Sequence, residues 1–102
     1  MITQEQIENI VNTIKKISKP KAIYLFGSYA SGSPHENSDL DIAVIKNNVQ
    51  DKHKELYEIR KALFNFGIPM DLVLFDDKSY KKQQSIYGTV QYEIAHKGKR
   101  LA

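Results

Sequence analysis

Two short apolar runs, Asp39–Ile45 (DLDIAVI) and Pro69–Phe75 (PMDLVLF), are separated by one stretch of helical periodicity, and this pattern constrains the fold more than any other feature. Lys46-Asn47-Asn48 signals a turn after the first run. Leu56, Ile59, Leu63 and Phe66 then mark one face of a helix from about residue 50 to Gly67, whose glycine suits a C-terminal cap. Strand, helix, strand in this order is a βαβ unit, which calls for parallel strands and a right-handed crossover. The N-terminal ends of both strands should therefore share one edge of a sheet.

The flanking segments complete a small α/β unit with a mixed sheet and helices packed on it. Thr3-Gln4-Glu5-Gln6 matches a capping box, and Ile7, Ile10, Val11, Ile14 and Ile17 follow at helical spacing as far as Ser18-Lys19-Pro20. Lys21–Phe26 reads as a buried strand ending at Gly27, and residues 27–38 as a loop with at most one helical turn. A last helix is expected from near Asp77 to Gly98, burying Tyr80, Tyr87, Val90 and Ile94. If the first strand runs antiparallel to the second, Gly27, Ser28, Asp39, Asp41 and Asp71 all arrive at one sheet edge.

Bulk properties narrow the function classes. A chain of 102 residues has room for one core, so residues 1–102 are expected to form one domain. It has no cysteine, which excludes disulfides and thiolate zinc sites. With no basic leader and no long apolar run, the expectation is a cytoplasmic protein without membrane contact. The net charge of +3 comes from lysines interleaved with acids, which reads as solvated helix faces and disfavours nucleic acid as a partner. The basic residues Lys97, Lys99 and Arg100 near the C-terminus form a small cluster of low weight. His53 and His96 are expected on helix surfaces and His35 at a loop tip, with no ligating spacing among them. Tyr80, Tyr87 and Tyr92 have near-helical spacing and are expected to pack.

The chemistry is carried by the acids. Side chains alternate along a strand, so Asp39 and Asp41 point to the same face, roughly 6.5 to 7 Å apart along the backbone. Two carboxylates so placed repel unless a cation neutralises them, and hard oxygen ligands in an open cleft favour Mg²⁺. Two such ions about 3.5 to 4 Å apart can hold the attacking and leaving oxygens of a phosphoryl displacement. Asp71, the lone charge between Pro69-Met70 and Leu72-Val73-Leu74, is the natural third ligand. Gly27 lets backbone N–H groups approach a phosphate closely, and Ser28 adds a hydroxyl. No lysine follows in the spacing of a Walker A loop.

Gly27-Ser28, ten residues, then Asp39-Leu40-Asp41, within LFGSYASGSPHENSDLDIAV, resembles the GS-x₁₀-DxD signature of the DNA polymerase β-type nucleotidyltransferase superfamily. The small size resembles the minimal nucleotidyltransferases that act as antitoxins beside HEPN-type toxins. The resemblance implies the polymerase β-like fold, with Asp39, Asp41 and Asp71 as catalytic metal ligands for two Mg²⁺ ions and Gly27 and Ser28 holding an NTP, ATP above others. It implies AMP transfer to a hydroxyl, a tyrosine of a cognate HEPN toxin, and leaves self-association open. The family often has Ala-Arg-Gly where this chain has Ala30-Ser31-Gly32, so an arginine beside the phosphate loop is missing. Two other functions fit the same residues: a non-catalytic protein-binding antitoxin, and one subunit of an antibiotic-type nucleotidyltransferase whose second subunit supplies the acceptor pocket.

Overall fold

The computed structural model describes residues 2–34 and 38–102; His35, whose expected loop-tip position was noted above, lies outside the described residues. Helix α1 covers Gln4–Ser18 and starts as the capping box requires. The Gln6 N–H donates to Thr3 Oγ1 at 3.2 Å, and the Thr3 N–H donates to Gln6 Oε1 at 2.8 Å. Ile7, Ile10, Val11 and Ile14 are buried, whereas Ile17, at the far end of the stripe, is half exposed.

Strand β1 (Ala22–Phe26) leads into a single helical turn, α2 (Ser28–Ser31), and β2 covers Leu40–Lys46. Helix α3 (Lys52–Leu63) continues through a 3₁₀ turn at Phe64–Phe66 and stops at Gly67, whose φ of 64° is the left-handed cap that glycine adopts without strain. Strand β3 (Met70–Asp76) follows. As expected, β2 and β3 are parallel and β1 is antiparallel to β2.

Two features depart from the sequence reading. The last helix is broken into α4 (Asp77–Gln83) and α5 (Val90–Lys97). Gly88 adopts φ 92°, and Thr89 restarts the helix as an N-cap, accepting from the Tyr92 N–H while its hydroxyl is shared between the Gln83 and Ile86 carbonyls. The break leaves Tyr87 and Val90 exposed, where one continuous helix would have buried them. After α5, Lys99–Arg100 form a short strand β4 against β1, giving the sheet order β3-β2-β1-β4. Of the C-terminal basic residues, Lys99 and Arg100 are thus part of the sheet while Lys97 ends α5, and the Ile23 N–H donates to the Ala102 carbonyl.

Alternation along the strands sends Ile23, Leu25, Leu40, Ile42, Val44, Leu72 and Leu74 to one side, where they bury against α1 and α3. The other side packs Ala22, Ala43 and Ile45 against Tyr80 of α4 and Ile94 of α5. No helix among the described residues is long and apolar enough to cross a membrane.

Candidate active site

The sheet register brings the acids together. Asp41 lies opposite Phe26, the last residue of β1, and opposite Asp71 on β3. Because Leu40 and Ile42 are fully buried on the α1/α3 side, the intervening Asp41 points to the α4/α5 side, and Asp71 does the same beside buried Leu72. Asp39 precedes β2 by one residue and is exposed. The strand therefore starts one residue later than the sequence pattern indicates.

Gly27 closes the site from the β1 side. Its φ of 73° and ψ of −152° fall in a region that only glycine occupies readily. Its α-carbon faces the carboxylate directly, since a Cβ there would stand 2.0 Å from Asp41 Oδ2. The Ala30 and Ser31 N–H groups donate to the Gly27 carbonyl, so Ser28 heads the turn α2. The N–H groups of Ser28 and Tyr29 lead that turn with no acceptor inside it.

Electrostatics mark Asp41 as the strained member. Partial burial pushes its carboxyl above the ordinary value, and the charge of Asp71, a hydrogen bond with Asp71 and the charges of Asp39 and Glu93 push the same way. The largest neighbouring influences are all acidic. No lysine or arginine is ion-paired with Asp39, Asp41 or Asp71 among the described residues.

The donor set fits a hard divalent cation, because it is all oxygen, carries excess negative charge and borders a glycine rather than a side chain. Among the described residues no three potential ligands already stand as a metal-holding group, which is consistent with Asp39 lying outside the strand. Glu93, exposed on α5, was not singled out from sequence: it sits in an ordinary helical pattern, and only the packing of α5 on the sheet brings its charge to Asp41.

Comparison with known proteins agrees with this geometry. Residues 8–101 match the family described as Polymerase beta, Nucleotidyltransferase. The protein adenylyltransferase MntA of Shewanella oneidensis is 54% identical over 57 residues, covering 56% of this chain and 41% of that protein. MntA of Thermococcus cleftensis is 38% identical over 80 residues, covering 72% of this chain and 79% of that protein. A chain in a crystal structure of a toxin-antitoxin with AMP-PNP superposes with a TM-score of 0.66 at 28% identity, covering 99% of this chain and 73% of that one. A second structure, of a tri-AMPylated Shewanella oneidensis HEPN toxin in complex with MNT antitoxin, gives 0.65 at 25% identity, covering 99% of this chain and 72% of that one. The match thus spans less than half of the Shewanella adenylyltransferase. By its sequence, its sheet order and its relatives, the chain belongs to the polymerase beta nucleotidyltransferase family.

Proposed function

We propose that residues 1–102 form one nucleotidyltransferase unit that moves AMP from ATP onto a hydroxyl of a partner protein, a tyrosine of a HEPN-type toxin, and so acts as its antitoxin. The observation that carries this reading is the facing pair Asp41 and Asp71 beside Gly27, with no lysine or arginine ion-paired with either acid among the described residues. The relatives lend support: two are adenylyltransferases by name, and one related structure holds an AMPylated HEPN toxin.

In this reading Asp39, Asp41 and Asp71 hold two Mg²⁺ ions, which when bound offset the negative charge of the phosphates and polarise the α-phosphorus. Gly27 admits the triphosphate close to the backbone, while the Ser28 hydroxyl and the leading N–H groups of α2 donate to its oxygens. Asp71, the more exposed of the facing pair, accepts the proton of the acceptor hydroxyl. The hydroxyl oxygen forms its bond to the α-phosphorus, the bond to the bridging oxygen breaks, and pyrophosphate leaves. Ser31 adds no charge to the loop, which offers the phosphates a hydroxyl and backbone N–H groups alone.

Intact-mass measurement of a co-purified partner after incubation with ATP and Mg²⁺ tests the proposal. An added AMP on tyrosine, lost with Asp41→Asn while the complex persists, is the expected result. A neutralised but unmodified partner points to a non-catalytic antitoxin, and AMP found only on a small molecule points to an antibiotic-type subunit.

A further inference from the structure

Helix α3 presents to solvent a face that nothing among the described residues covers. Its inner face, with Ile59 and Leu63 buried, packs toward α1. On the outer face Tyr57, Arg60, Lys61 and Phe64 follow the i, i+3, i+4, i+7 spacing of one helical stripe, with Lys54 one turn earlier. Tyr57 is 61% exposed and Phe64 81%, the second highest exposure among the large hydrophobic side chains. A groove of about 600 Å³ runs between Tyr57, Arg60, Lys61, Phe64 and Asn65. A second, of about 320 Å³, lies on the other side of Arg60 and Phe64, floored by Leu63, Ile68 and Met70. Phe64 is the ridge between them.

The charge of this face is one-sided. Lys54, Arg60 and Lys61 have no ion-pair partner among the described residues. Of the acids of α3, Glu55 is bound to Lys46, and Glu58, four residues after Lys54 and three before Lys61, borders the stripe, leaving three cations against one acid. Exposed aromatic side chains beside arginine are the composition of protein interface anchors. We propose that this stripe is a docking surface for an acidic amphipathic helix of a partner protein, whose apolar side chains straddle Phe64 and whose carboxylates pair with Lys54, Arg60 and Lys61.

Other occupants fit less well. A second copy joined about a two-fold axis would bring the same cations against one another. A nucleic acid would satisfy the cations but leave the exposed Phe64 and the half-buried Ile68 and Met70 in water. The position gives the surface a use, because α3 runs through Phe64–Phe66 and Gly67 into Met70, the neighbour of Asp71. A partner held here lies along the edge strand β3, on the side of the sheet opposite the Asp71 carboxylate, and reaches the site only around the start of that strand. The inference rests on the reading above only in requiring a partner protein, and its test measures binding without transfer.

The ¹⁵N-labelled chain is titrated separately with a helical peptide bearing Leu and Phe at i, i+3, i+4, i+7 and Glu elsewhere, with its Lys-for-Glu counterpart, and with a uridylate dodecamer. The acidic peptide is expected to give saturable shifts at Tyr57, Arg60, Lys61 and Phe64 that weaken as salt rises. Phe64→Ala, or Arg60→Glu with Lys61→Glu, should each weaken it by about tenfold or more. Both variants change exposed side chains and should keep the wild-type melting temperature. Absence of shifts on α3, tighter binding of the oligonucleotide at the same residues, or concentration-dependent shifts of the chain alone would each overturn the proposal. Failure of AMP transfer with the peptide binding intact would count against the catalytic reading and leave this one standing.

Discussion

Asp41 Oδ2 occupies the space that a side chain at position 27 would need, only 2.0 Å from where a Cβ on Gly27 would stand. The phosphate loop and the central acid are therefore fitted to each other, and position 27 has no room for a side chain beside Asp41. Gly27→Ala meets both this clash and the left-handed φ of 73°. It should cost about 1 to 3 kcal/mol of stability, a fall in Tm of roughly 4 to 8 °C per kcal/mol. Nucleotide binding should fall as well, because Asp41 has to move. Thermal melting with and without ATP and Mg²⁺ reads both effects, and a variant with wild-type values in both would show that the loop does not hold this geometry in solution.

Asp41→Asn should abolish transfer and leave the metal-free chain as stable as wild type or more so. The largest influences on the Asp41 carboxyl all disfavour its charge: burial first, then Asp71, Asp39 and Glu93. Replacing it with a neutral amide relieves the repulsion. Melting curves in EDTA check this, and a clear loss of stability would reveal a stabilising partner for the carboxylate.

Much of this site was legible in the sequence because its determinants are local. Gly27-Ser28 and Asp39-x-Asp41 are fixed by spacing, and the βαβ order alone sets Asp71 beside Asp41. What could not be read depends on tertiary packing. The break between α4 and α5 is set by Gly88 and by Thr89 bonding back to Gln83 and Ile86, against a helical periodicity that runs through it. Strand β4 is only two residues long and has no pattern of its own, and Glu93 joins the site through the packing of α5.

Two of the three tyrosines that shared one expectation, Tyr80 and Tyr87, separate in the fold. Tyr80 is buried between Tyr24 and Phe75, with ring centroids 6.3 and 6.1 Å away, whereas Tyr87 is 86% exposed and touches Tyr92 edge-on. Tyr80→Ala should cost about 3 to 5 kcal/mol, as for other large aromatic truncations in a core. Tyr87→Ala should stay within about 0.5 kcal/mol. Urea unfolding of the two variants tests the helix break, since equal losses would restore a continuous last helix.

Glu55 ties the start of α3 to β2. One carboxylate oxygen accepts from Lys46, and the other accepts from the Gln50 and Asp51 N–H groups at 3.0 Å each. These bonds, Lys46 foremost, hold its carboxyl below the ordinary value of 4.5. A depressed carboxyl contributes stability that is present above the unfolded-state value and is lost as pH falls through the folded-state value. Stability should therefore decline as pH drops below about 4.5, and Glu55→Gln should lower the plateau above that pH by about 1 kcal/mol while flattening the decline. Denaturation at a series of pH values measures both; an unchanged acid limb in the variant would assign the decline to other carboxylates.

Binding of ATP should depend on the divalent ion, since the site gathers acids that would repel a triphosphate and, among the described residues, no lysine or arginine is ion-paired with them. ATP with Mg²⁺ at about 100 times its Kd should stabilise the chain by roughly 2.7 kcal/mol. ATP with EDTA should not, and equal shifts in Tm under the two conditions would contradict a metal-bridged triphosphate.

The central claim is that Asp39, Asp41 and Asp71 serve nucleotidyl transfer, and the position of a label in ATP tests it most directly. With partner and Mg²⁺ present, label on the α-phosphate should become covalently attached to the partner, while label on the γ-phosphate should leave entirely as pyrophosphate. Both signals should vanish with Asp41→Asn. Retention of γ-label on the partner, or release of γ-label as free phosphate with no α-label transferred, would contradict the account, because either result means that the reaction breaks the terminal phosphate bond and not the one beside the α-phosphorus.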